Sequence, residues 1–244
     1  MIDVHNHLLP GIDDGARDME EAVALARLVV ADGVTHLVCT PHIHPGIFDN
    51  SIDTIEPVLN DYRMALEAAE IPLQVAAAAE VHFGVEVMSM FANGRLPFLG
   101  QWDACNVFLL EFPHSGLPFG AERMIDWLIE RNIKPMIAHP ERNRDFLMAP
   151  DRLRHFVDKG CLAQVTAVAP TGAFGRQPQS CAERWIIEGQ ITCLASDAHN
   201  LDKRPPELGN AERAARGLVG EKAAEQLTLD NPWELVRHLF ETRA

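Results

Sequence analysis

Apolar positions along this chain fall into two alternating rhythms. Short β-rich runs at residues 1–4, 36–40, 71–79, 106–111, 135–139, 162–165 and 192–196 predict strands. Between them, apolar residues recur at helical spacing, as at Ala22, Leu25, Ala26 and Val29. Helices are predicted from Asp18, as N-cap, to about Asp32, and from Ser51 to about Glu70, where Pro57 is expected to delay the regular start. Further helices are expected over 85–92, 122–131, 151–159 and 181–188, and over most of the chain from Pro206 on, with Asn231-Pro232 opening the last. Strand–helix alternation of this kind predicts a parallel sheet, and about seven units favour closure into a barrel. There is no internal repeat, low-complexity tract or dividing linker, so residues 1–244 read as one domain.

What stands at the ends of the strands gives the fold its chemistry. His5 and His7 follow the first run, and alternate residues of a strand point the same way, so both can reach one point. Asp14 comes next, then His42, Glu80, Glu111, His139, Asp197 and His199, each just after an apolar run. A ring of strands brings these nine donors into one pit. So many acids and imidazoles are untenable together without cations. Nine donors are too many for one ion, and their mixture favours manganese, iron or zinc over calcium or an iron–sulfur centre.

Composition removes several alternatives. The formal charge of −14 argues against nucleic acid as a partner. No run reaches the ~18 apolar residues of a membrane span, and no signal peptide opens the chain, so a cytoplasmic protein without membrane insertion is expected. The cysteines Cys39, Cys105, Cys161, Cys181 and Cys193 are scattered without a Cys-x-x-Cys pair. Thiol-based phosphate hydrolysis requires an Arg six places after its Cys. Those places hold Pro45, Glu111, Ala167, Ile187 and His199, so that chemistry is excluded.

Asp3-Val-His5-Asn-His7, Asp13-Asp14-Gly15, Thr40-Pro-His42, Glu80, Glu111, Ala138-His139-Pro-Glu-Arg142 and Ser196-Asp197-Ala-His199 together resemble the polymerase and histidinol phosphatase (PHP) superfamily. Within it, the chain is most similar to the bacterial manganese-dependent tyrosine-protein phosphatases of capsule and exopolysaccharide loci. The motifs run in the family's order from residue 1 to about 205. The resemblance implies a distorted (β/α)7 barrel of the PHP type with three divalent ions, Mn(II) foremost, Fe or Zn otherwise. His5, His7, Asp197 and a bridging Glu80 would hold the first. Glu80, Glu111 and His139 would hold the second, and Asp14, His42 and His199 the third. It further implies that Arg142 and Arg204 hold the substrate phosphate. A phenolate leaves with little help, and His44 or His199 is the candidate proton donor. The substrate would be a phosphotyrosine protein, in particular a membrane-associated bacterial tyrosine kinase controlling capsular or exopolysaccharide synthesis. A small phosphomonoester such as histidinol phosphate is the alternative.

Overall fold

The structure, a computed structural model, describes residues 1–241. Its strands are β1 (Ile2–Asp3), β2 (His36–Cys39), β3 (His42–Ile43), β4 (Gln74–Ala77), β5 (Glu80–His82), β6 (Gly100–Trp102), β7 (Cys105–Glu111), β8 (Ile133–Ala138), β9 (Leu162–Thr166) and β10 (Cys193–Ala195). One parallel ladder runs β1-β2-β4 and another β3-β5-β7-β8-β9-β10, with β6 antiparallel on β7. β2 and β3 are one strand broken at Thr40-Pro41, and β4 and β5 one strand broken at Ala78-Ala79. The breaks stay hydrogen-bonded, Ala78 N to Cys39 O at 2.9 Å and Glu80 N to Pro41 O at 3.1 Å. Counted so, with β6 set aside, seven parallel positions follow one another in chain order, as the sequence pattern predicts.

No ladder joins β10 to β1 among the described residues. The seam closes one step beyond them, where Asn6 bridges Ala198 in parallel. There Asp197 N donates to His5 O and His7 N to Ala198 O, each at 2.8 Å. Asp3 reinforces the seam by accepting Ser196 N at 3.0 Å and Ser196 Oγ at 2.6 Å. Burial lifts the Asp3 pKa to about 6 despite those bonds.

Two apolar layers hold the ring. Inside it, Val38, Ala76, Val107, Leu109, Met136 and Cys193 pack against one another, and Leu99, Leu235 and Val236 stop the lower end. Their outward neighbours Leu37, Phe108, Leu110, Ile137, Val165 and Leu194 pack beneath the helices. Helix α1 (Met19–Ala31) shows how the outer layer is secured: Asp18 caps Glu21 N, and Ala22, Leu25, Ala26 and Val29 are wholly buried. Such a cap contributes about 1 kcal/mol and burying one leucine about 1.5–3 kcal/mol.

Helix α2 (Ile52–Ala68) runs straight through Pro57, contrary to the delayed start expected there. Proline deletes one hydrogen bond, whereas the Ser51/Thr54 capping box and the buried face Ile55, Leu59, Tyr62 and Leu66 hold both sides of it. Then come α3 (Glu86–Ala92), α4 (Ala121–Ile129), α5 (Arg144–Met148), α6 (Asp151–Asp158), α7 (Arg176–Ile187) and α8 (Leu208–Val219). The sequence reading omits α5 and β6 and starts α7 at Cys181. Pro178 lies in the first turn of α7, where a missing N–H costs nothing. No helix of the described residues is long and apolar enough to cross a membrane.

Candidate metal centre

The strands deliver their donors by alternation. Val38, Ala76-Ala78, Val107-Leu109 and Cys193-Ala195 face the lumen. Continuing each series by twos reaches His42, Glu80, Glu111 and Asp197. His139 is out of phase with the lumen-facing Met136 and Ala138 by one residue. Its backbone compensates, with φ +29°, and Asp197 has φ +52°. Both are strained for residues with a Cβ, which is common where side chains are aimed for chemistry. Gly15 is obligatory for a different reason: a Cβ there would lie 1.9 Å from His7 O.

All nine predicted donors meet at this end of the barrel, with Asp14, His42, Glu80, Glu111, His139, Asp197 and His199 lining one cavity of about 480 Å³. His5 Nε2 lies 3.3 Å from Glu80 Oε2 and 3.5 Å from Asp197 Oδ1. His7 Nε2 lies 3.4 Å and 3.5 Å from the same two oxygens and 3.4 Å from His5 Nε2. Ligands at ~2.0–2.2 Å from one ion are spaced by about these distances, and His5, His7 and Glu80 form such a group. Glu80 Oε1 is 2.8 Å from His139 Nε2, so the two oxygens of Glu80 face different neighbours. His139 forms a further donor group with Glu111 and the exposed His114, and Asp14 lies among His7, His42 and His199.

The unpaired atoms point to the same occupants. Glu80 Oε2, Asp197 Oδ1, His42 Nδ1 and His199 Nε2 are buried with no hydrogen-bond partner. His42 Nδ1 sits 3.1 Å from Glu80 Oε2, yet off the line a hydrogen bond needs, so proximity leaves both unsatisfied. Orphaned donors facing one another are what a cation would reconcile. Surrounding bonds keep the imidazoles in the required tautomer. His5 Nδ1 donates to Gln164 Oε1 at 2.9 Å, His7 Nδ1 to Asp13 Oδ2 at 2.7 Å and His199 Nδ1 to Asp197 O at 2.9 Å. Each leaves Nε2 free for an ion.

Without an ion, protons hold the charges together. Burial opposes the ionised carboxyl of Glu80, but His5, His42 and His139 outweigh it and hold its pKa well below the ordinary value. Burial likewise opposes charge on His42, and Glu80 and Asp14 overcome it, raising that imidazole to about 10. His199 goes the other way: burial and the neighbouring His7 push it down to about 4.

Arg142 and Arg204 both line the cavity, and both rest on one atom. Arg142 Nη1 donates to Asp197 Oδ2 at 3.0 Å, and Arg204 Nη2 donates to the same oxygen. Sequence reasoning missed Gln164 and Asp13 as orienting groups, and did not number His82 and His114, which also line the cavity, among the donors. His82 Nδ1 in fact contacts Glu111 Oε2 at 3.1 Å, while its ring stacks on His44 at 3.8 Å. A single polar residue on the lumen-facing side of a strand, Gln164 in step with Leu162, is the signal that could have found the first of these.

A parallel α/β barrel whose strands end in converging acids and imidazoles has the architecture of metal-dependent barrel enzymes. The chain belongs to the CpsB/CapC family of capsular polysaccharide synthesis, which matches residues 1–237. It is 34% identical over 204 residues to the tyrosine-protein phosphatase YwqE of Bacillus subtilis (strain 168), covering 84% of this chain and 79% of that one. To the tyrosine-protein phosphatase CpsB of Streptococcus pneumoniae it is 29% identical over 242 residues, 97% of this chain and 98% of the other. Among solved structures, one of the YwqE and CpsB pair, described as unique metal-dependent tyrosine phosphatases, superposes with a TM-score of 0.90. It is 32% identical and covers 97% of this chain and 94% of its own. An organophosphorus hydrolase from Deinococcus radiodurans, 16% identical, superposes at 0.58 over 96% of this chain and 92% of its own, a likeness of fold alone.

Proposed function

We propose that this chain is a metal-dependent protein-tyrosine phosphatase, one domain over residues 1–244, working in the cytoplasm on a membrane-associated tyrosine kinase of capsular or exopolysaccharide synthesis. The observation that carries the reading is the group His5 Nε2, His7 Nε2 and Glu80 Oε2, spaced for an ion, with Asp197 Oδ1 3.5 Å from both nitrogens and both carboxylate oxygens otherwise unpartnered. His5, His7, Asp197 and Glu80 would hold one ion, Glu80, Glu111 and His139 a second, and Asp14, His42 and His199 a third. The mixed nitrogen and oxygen donors suit Mn(II), with Fe or Zn as substitutes. The capsule family and the tyrosine-phosphatase relatives support the substrate class.

When bound, such ions supply Lewis acidity and a water acidic enough to be the nucleophile near neutral pH. Arg142 and Arg204 present forked donors to phosphate oxygens and stabilise the negative charge that builds during transfer. Asp197 holds both guanidiniums at the cavity until phosphate arrives. Departing phenolate, its conjugate acid near pKa ~10, needs little protonation, so His44 contributes modestly as proton donor. His199, its Nδ1–H spent on Asp197 O and its Nε2 turned toward an ion, has no proton to give. Chelation is expected to abolish release of phosphate from a phosphotyrosine peptide, and Mn(II) to restore it. Turnover that survives chelation rejects the reading. Faster turnover of histidinol phosphate than of the peptide reassigns the substrate.

A further inference from the structure

The cavity has one apolar wall, and nothing in the phosphate chemistry above calls for it. Ile47 and Phe48 line the same space as the donors and arginines, where the other linings, Pro113 apart, are charged or imidazole. Ile47 is 63% exposed. Phe48 lies parallel to His42, ring centroids 5.4 Å apart at 11°.

These two residues are held in place. His44 N donates to Phe48 O at 3.0 Å and Phe48 N returns to His44 O at 2.8 Å, closing a tight turn. Gly46 takes φ +81° at its tip, and its N–H donates to Asp49 Oδ1 at 2.7 Å. Asn50 Nδ2 ties the outgoing chain to Ile12 O at 2.8 Å and His42 O at 2.9 Å. An apolar pair on a braced turn has already lost the freedom that binding would otherwise have to take from it.

Resting on the phosphatase reading, we infer that the Ile47–Phe48 turn is the aryl-recognising wall of this site. It receives the ring of a phosphotyrosine while the phosphate sits on the floor. A tyrosine ester carries its phosphate one ring farther from the peptide backbone than a serine ester. The standing turn therefore lets the longer side chain reach the donors and holds a shorter one's backbone away from them. Contact with the ring buries aliphatic and aromatic surface that is otherwise wet.

The test separates ring from phosphate by binding. Phenylphosphonate and methylphosphonate share a head group and differ in the aryl group, and neither is hydrolysed. With manganese-loaded full-length protein, calorimetry is expected to show phenylphosphonate binding roughly tenfold more tightly than methylphosphonate, the worth of one partly buried apolar group. In Ile47→Ala and Phe48→Leu that preference falls to about twofold, with methylphosphonate affinity and metal content as in the wild type. The ratio of kcat/KM for a phosphotyrosine peptide over its phosphoserine counterpart falls in parallel, through KM. A wild type that turns over phosphotyrosine, with variants that keep the phenyl preference, overturns the wall and leaves the phosphatase reading standing. A wild type without a phenyl preference overturns it equally. Wild-type protein inert toward phosphotyrosine removes the reading and the wall together. Ile47 stands on the exposed tip, so its variant decides the matter even if Phe48→Leu loosens His42.

Discussion

The lower and upper halves of the same seven strand positions follow opposite rules. Below, Val107, Leu109, Met136 and Cys193 fill the lumen with apolar side chains. Two residues past Leu109 and four past Cys193, Glu111 and Asp197 stand among imidazoles, and buried nitrogens and oxygens lack partners. One half gives up chemistry for packing and the other gives up satisfaction for chemistry. Stability should therefore be lost from below and activity from above, each largely independent of the other.

The strongest way to break that division is at Glu80, whose two oxygens serve both sides of the pit. Glu80→Ala is expected to lower kcat/KM on the order of a thousandfold or more, with bound metal falling in parallel by elemental analysis. Its far-ultraviolet dichroism should stay native. The complementary change is Leu109→Ala in the lumen. It should cost about 2–5 kcal/mol in denaturant unfolding while kcat/KM of the folded enzyme stays within a few fold. Equal damage to activity and stability from either variant would erase the contrast.

Smaller effects sharpen the picture. Gln164→Ala removes the acceptor that fixes the His5 tautomer, and should weaken metal binding about 10- to 100-fold in a competition titration. A last test uses pH. In the metal-free protein His42 titrates near 10, above its unfolded value of 6.5. The stability its carboxylate contacts give is complete below pH 6.5 and lost as pH rises through 10. Ions need the neutral ring, so their stabilisation grows over that same interval. The gap in Tm between loaded and metal-free protein is expected to widen by a few degrees from pH 6.5 to 10, followed by calorimetry.

The division also explains what the sequence made readable. Glu80, Glu111, Asp197 and His42 continue an alternation that apolar residues had already declared, so strand-end position sufficed. His139 could not be placed that way, since it relies on a left-handed backbone no pattern of hydrophobicity encodes. Its place after an apolar run and its motif were legible, its aim was not. Gln164 and Asp13 escaped because an orienting group is defined by what it touches across the barrel, 159 residues away for Gln164 and His5. The placing of Arg142 and Arg204 was readable from motif offsets, but their common seat on Asp197 is a property of the folded ring. Helix starts failed at Pro57, which a well-buried helix absorbs, and before Cys181, where α7 begins earlier with Pro178 in its first turn.

The Asn6–Ala198 seam has a consequence in time as well as space. A ribosome delivers His5 and His7 long before Asp197, so a nascent chain carries an unfinished cage throughout the interval between them. Contacts this distant along the polymer make for slow assembly, and on the proposed reading an ion would be captured only at its end. A chain cut short before its final strand would have neither ring nor cage.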